Sequence, residues 1–215
     1  VLDVHPPNHP VHGWRDFFIH LITITIGLVI ALSLERLVEL RHRHHLVKDA
    51  EVALHTEIED NSKKLDEELQ RIKAEQRTLA DDVAILNEMI ANPRALNQQD
   101  PVIQFNVPAF DDVSWKTAQS TGALSYMTYK QAHEYGEIYN DQSEVYVAEH
   151  EAARDAMASY ALMVNRDMAH PKMNPADAPL MKQRIELFQT QLIMVESFLT
   201  SLDKKYKAFL AAHQS

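Results

Sequence analysis

From Phe17 to Leu34 the chain reads FFIHLITITIGLVIALSL, eighteen residues with no formal charge at neutral pH. As an α-helix such a run rises about 27 Å, close to the roughly 30 Å of a bilayer's hydrocarbon core. Trp14 and Arg15 stand just before it, where an interfacial aromatic ring and a snorkelling cation belong, and Glu35 and Arg36 close it. The stretch predicts a transmembrane anchor over residues 14–40, preceded by a Pro/His-rich tail at 1–13. A cleavable signal sequence fits less well, because no basic cluster precedes the run and no A-x-A-like site follows it.

Within the anchor Thr23, Gly27 and Ala31 are spaced four apart and share one helix face. Small residues there let a second transmembrane helix approach closely, and in lipid such packing is a main source of association. His20 lies on the second turn, near enough to the interface to reach water or headgroups. The alternative use of an intramembrane His is as a haem or chlorophyll ligand.

Beyond the anchor come Arg36, Arg41, Arg43 and Lys48 with His42, His44 and His45, whereas only Arg15 precedes it. Lys and Arg collect on the cytoplasmic side of a span, so the C-terminal domain is expected in the cytoplasm of a bacterial inner-membrane protein. A periplasmic domain is the alternative. The arginines also disfavour a metal at the histidines and suit anionic lipid instead, so Trp14, Arg15, Arg36, Arg41 and Arg43 are read as membrane-interface residues. In the tail, His5, His9 and His12 alternate with Pro6, Pro7 and Pro10, a pattern better suited to docking on a partner than to closing around a metal.

The remainder, 41–215, reads as a helical bundle. No Gly or Pro occurs between Gly27 and Pro93, and apolar residues recur at Leu54, Ile58, Leu65, Leu69, Ile72, Leu79, Val83, Leu86 and Ile90, with Asn61 and Gln76 on the same stripe. Glu57, Glu59, Lys63, Lys64, Glu67 and Glu68 are expected on a solvated face. Asn92-Pro93 ends this helix; a short helix is expected from about Asp112 or Ser114 to a cap at Gly122. Thr128 and Gln131 resemble a capping box opening a third helix with an Ala148, Ala152, Ala156 face. In the last helix Met181, Ile185, Phe188, Leu192, Val195, Leu199, Leu202, Tyr206 and Phe209 alternate steps of four and three without a miss. The fold class is therefore all-α: one transmembrane helix, then an elongated antiparallel bundle of three long helices and one short.

Composition narrows function chiefly by exclusion. A net charge of -10, from 31 acidic against 21 basic residues, argues against nucleic acid, which needs a basic face. Four glycines leave little for a phosphate-cradling loop, and the absence of cysteine removes thiolate chemistry. A di-iron bundle needs two Glu-x-x-His pairs, and only Glu39 with His42 fits. Asp81-Asp82, Asp111-Asp112 and Glu149-His150-Glu151 sit where exposed charge is the default. No catalytic residue, metal or cofactor is expected.

The strings HPP at 5–7, PVHGWRDFFIH at 10–20 and ITIGLVIALSLE at 24–35 resemble a family of uncharacterised bacterial single-pass membrane proteins. So does WKTAQSTGALSY at 115–126, followed by Tyr135 and Tyr139. The resemblance implies membership and no activity. The 115–126 segment itself reads as a helix, a Gly cap and an aromatic plug. Small-residue anchor, tail and bundle are all contact surfaces, so the expected function is a non-enzymatic accessory or scaffold subunit of a larger membrane complex, of a respiratory or photosynthetic kind for instance. The alternatives are a membrane-anchored sensory or ligand-binding module, and a metal- or tetrapyrrole-binding subunit using His20.

Overall fold

A computed structural model of the chain describes residues 13–94, 99–105, 110–164 and 173–213. They form α1 (Gly13–Ala91), α2 (Val113–Ser120), α3 (Tyr129–Tyr160) and α4 (Ala178–Ala212), with short 3-10 turns at Ala123–Tyr126 and Pro175–Asp177. Among the described residues there is no strand, and the all-α class stands. The chain divides into two units, Val1–Asp49 and Ala50–Ser215, and α1 contributes to both.

In the first unit, α1 holds one window long and apolar enough to cross a membrane, with mean hydropathy 2.4 and none of it buried. Its polar side chains are satisfied locally: the Thr23, Thr25 and Ser33 hydroxyls donate to the carbonyls of Ile19, Leu21 and Val29 at 2.8, 2.8 and 2.6 Å. Back-bonding of this kind removes the cost of a bare hydroxyl in an apolar medium.

The second unit is a three-helix bundle with a return segment laid along it. Gln131 to Glu51, Tyr139 to Glu57 and Asn61 to Gln142 pair α3 with α1 in rising order on both, so these two helices are parallel. Lys182 to Asn87, Gln76 to Glu196 and Lys207 to Asp66 pair α4 with α1 in opposite order. Antiparallel packing thus holds for α4 against both neighbours but not for α1 against α3. The reason is that residues 99–105 and 110–112 run back along α1 before α3 begins.

Helix limits follow local chemistry. Thr128 and Gln131 make the capping box, the Thr128 Oγ1 accepting from the Gln131 N–H at 3.3 Å and the Gln131 Oε1 from the Thr128 N–H at 3.1 Å. Gly122, at φ 75°, takes the left-handed turn that ends α2. All nine seam residues of α4 from Met181 to Phe209 are buried inside the bundle. Each large apolar side chain so covered contributes about 1.5–3 kcal/mol.

Along α1 the buried positions depart from the expected stripe. Glu68, Asp82 and Met89 are buried, Leu69 and Val83 only half-buried, and Ile90 is 40% exposed. The observed seam is a strict heptad: Ile58, Leu65, Ile72, Leu79 and Leu86 fill one position. Leu54, Asn61, Glu68, Glu75, Asp82 and Met89 fill the other, with Glu75 half-buried. Apolarity is a poor guide here because four of these eleven seam residues, Asn61, Glu68, Glu75 and Asp82, are polar, and all but Glu68 bond backbone.

A buried polar seam and two exposed apolar surfaces

The polar heptad positions hold the return segment. The Val102 N–H donates to Asp82 Oδ1 at 3.0 Å, and the Gln104 N–H bonds the Glu75 carboxylate one heptad back. Pro101 and Ile103 turn inward while Val102 and Gln104 face out, the two-residue alternation of extended chain. Phe105 closes edge-on against Phe188 of α4 with ring centres 5.4 Å apart. Further along, Asn61 and Asp111 pair in both directions, and the Gln142 Nε2 adds a third bond to the Asp111 carbonyl at 3.0 Å. The Tyr206 hydroxyl donates to Gln142 Oε1 at 2.7 Å, joining α4 to the same cluster.

Glu57 lies beside this row, next to Ile58, and is buried too. Its carboxylate accepts from the N–H groups of Ser114 and Trp115 at 2.7 and 3.4 Å, and from the Tyr139 hydroxyl at 2.6 Å. Those two amides belong to the first turn of α2, which needs acceptors and favours negative charge. Asp112, the residue at the N-cap position, makes no such side-chain bond, so a carboxylate from another helix substitutes for the local cap. Trp115 then lies flat on Tyr139, centres 5.0 Å apart. Burial, and next the Glu57 carboxylate, push the Tyr139 hydroxyl pKa up, so it stays a donor.

Several carboxylates expected in solvent are therefore interior. Glu57 is 8%, Glu68 4%, Asp82 2% and Glu149 0% exposed. Burial raises the pKa of Glu68 against the pull of Arg71, whose Nε donates to it at 2.9 Å. Burial likewise raises Glu75 and Asp82, opposed by their backbone N–H donors. Sequence reasoning missed these residues because charge alone signals surface. For Glu68, Glu75 and Asp82 the seven-residue spacing, in step with Leu65, Ile72 and Leu79, is the signal that could have found them.

Two cavities flank the seam. One of about 800 Å³ lies under Phe110, Trp115, Tyr139 and Tyr146, with Asp112, Lys116, Gln119, Gln142, Ser143 and His150 as its polar groups. The other, about 570 Å³, lies between Arg71, Glu75, Phe105, Ala153 and Tyr160. Elsewhere α3 and α4 leave an apolar groove open to solvent, where Val147, Met194 and Phe198 are 58, 49 and 37% exposed.

In the first unit Thr23, Gly27 and Ala31 are exposed on α1, and a Cβ added at Gly27 would meet nothing within 4 Å. Trp14 stacks on Phe17 and meets Phe18 edge-on, a three-ring cluster at the start of the apolar window. Arg15, Arg36 and Arg41 are exposed, as are His20, His42, His44 and His45; Arg43 is half-buried and pairs with Glu39. The lone Glu-x-x-His thus has its carboxylate in an ion pair. Among the described residues no group of three or more His, Asp or Glu is placed to hold a metal ion. The tail histidines, His5, His9 and His12, lie outside the described residues.

Scans against protein families, curated proteins and solved structures each returned no match.

Proposed function

We propose that the chain is a single-pass membrane protein acting as a non-enzymatic accessory or scaffold subunit of a larger bacterial membrane complex. The observation that carries the reading is the contrast between its interior and its surface. The polar groups of the seam that hydrogen-bond most fully, Glu57, Asn61, Gln142 and Tyr206, meet each other or the chain's own backbone. Apolar side chains meanwhile stay uncovered in the N-terminal window and in the α3–α4 groove. Exposed apolar surface of this kind marks contact with lipid or protein.

In this reading the Thr23, Gly27, Ala31 face meets another transmembrane subunit, and the arginines at 36, 41 and 43 meet anionic lipid on the cytoplasmic side. The respiratory or photosynthetic setting, and kinship with the uncharacterised family that the N-terminus resembles, belong to the same proposal. Native purification in mild detergent tests it: defined partners should co-elute, and fewer of them with Phe198→Glu. A chain that elutes alone from several gentle detergents would overturn it.

The second reading, a ligand-binding module, has one observation in its favour. The 800 Å³ cavity under Trp115 and Tyr139 has the size and aromatic lining of a small-molecule site. Quenching of Trp115 fluorescence by a compound library, absent in Tyr146→Ala, would favour it over the scaffold.

A further inference from the structure

Glu149 sits in the middle of α3 with its side chain 0% exposed, and neither carboxylate oxygen has a hydrogen-bond partner. Its place in the bundle follows from the register. Asn61, Gln142 and Tyr206 share one layer through their hydrogen bonds. One heptad further along the parallel α1 and α3, and one heptad back along the antiparallel α4, the next such layer holds Glu68, Glu149 and Leu199, all buried. Glu68 acts on Glu149 as a like charge, and Arg71 acts in the opposite sense while holding Glu68. From α4 that layer receives Leu199; the α4 charges on either side that bond α1 are Glu196, to Gln76, and Lys207, to Asp66, with Lys207 also paired with Asp203. From the return segment, Asp111 is paired with Lys64 and Gln104 is bonded to Glu75. On α3 itself, His150 and Arg154 are exposed and Arg154 pairs with Glu151. Two carboxyls therefore share one layer with a single guanidinium, which one of them already holds.

We infer that the Glu68–Glu149 layer is a proton-operated catch between α1 and α3: a proton on Glu149 lets the two helices close, and its loss drives them apart. A neutral carboxyl in an apolar layer costs little, whereas an unpartnered buried carboxylate beside another costs a great deal. Burial first, and Glu68 second, push the Glu149 pKa up to about 8. The sign follows from linkage. An unfolded Glu149 ionises in the ordinary carboxylate range, so between that range and about 8 the folded state holds a proton the unfolded state lacks. Stability therefore falls as pH rises through this window and levels off above it.

The test uses the full chain in detergent micelles, with Glu149→Gln and Glu149→Leu as variants. Wild type should lose thermal stability steadily from about pH 5 to about pH 8, with folding taking up about one proton at this site. Both variants should show a flatter profile over the same window. Infrared difference spectra near neutral pH should show a protonated-carboxyl band in wild type that both variants lack. Parallel pH profiles for wild type and Glu149→Gln, or absence of that band, would overturn the inference. Should one variant fail to fold, the other supplies the comparison that assigns the band to Glu149 rather than to Glu68, Glu75 or Asp82.

Discussion

Asn61 and Asp111, fifty residues apart, pair as two strands would: the Asn61 Nδ2 donates to the Asp111 carbonyl at 2.7 Å, and the Asp111 N–H donates to Asn61 Oδ1 at 2.8 Å. A side-chain amide has the same donor and acceptor spacing as a peptide unit, so it can complete the backbone of a chain that has no strand beside it. The return segment lies against a helix, whose own backbone groups are used internally. Its amides must find side chains, and the polar heptad row of α1 supplies them.

Removing that amide should be costly. Asn61→Leu takes the acceptor from the part-buried Asp111 N–H and weakens the Gln142–Tyr206 pair. We expect a loss of about 2–3 kcal/mol in chemical denaturation. Gln142→Leu in the same background should add less than its own single effect, because the two act as one network.

Glu57→Gln separates charge from shape. A glutamine keeps one acceptor oxygen, but it loses the negative charge at the first turn of α2 and adds two donors facing the Tyr139 hydroxyl. We expect about 1–2 kcal/mol of destabilisation and faster amide exchange at Ser114 and Trp115. Unchanged exchange at those two residues would mean that α2 is capped by something else.

Phe188→Ala opens a cavity at a fully buried site and removes the ring on which Phe105 rests. The expected cost is about 3–5 kcal/mol. Limited proteolysis should cut within residues 99–105 earlier than in wild type, since the return segment loses its apolar anchor on α4 while keeping its bonds to α1.

Gly122→Ala isolates a backbone effect. A Cβ there meets nothing within 4 Å, so the whole penalty comes from φ 75°. That is about 1–2 kcal/mol, read as a shift in denaturation midpoint with no change in slope.

Gly27→Ile tests the anchor's docking face. A branched side chain keeps two helix backbones apart while remaining apolar, so insertion into membranes should persist and partners should be lost on purification. Carbonate extraction checks the first and co-elution the second. Partners retained at wild-type levels would move the attachment to the α3–α4 groove or the N-terminal tail.

What the chain's own pattern determined was each element taken singly. Eighteen uncharged residues predict an apolar span-length helix, an unbroken run of threes and fours predicts α4, and Thr128, Gln131 and Gly122 predict their caps, because each depends on neighbours within a few positions. What only the tertiary structure decided was which polar residues are interior. Glu68, Glu75, Asp82 and Glu149 look like surface charge in sequence, where burial carries no mark. Glu75 and Asp82 meet backbone amides twenty or more residues away, and Glu149 faces the Glu68 carboxyl of a different helix, which Arg71 holds; such juxtapositions exist only once the return segment lies along α1 and α3 runs parallel to it. The relative direction of those helices rests on the same cause: it is set by the run of 99–105 and 110–112 back along α1, and these non-helical residues have no helical periodicity from which to read their path.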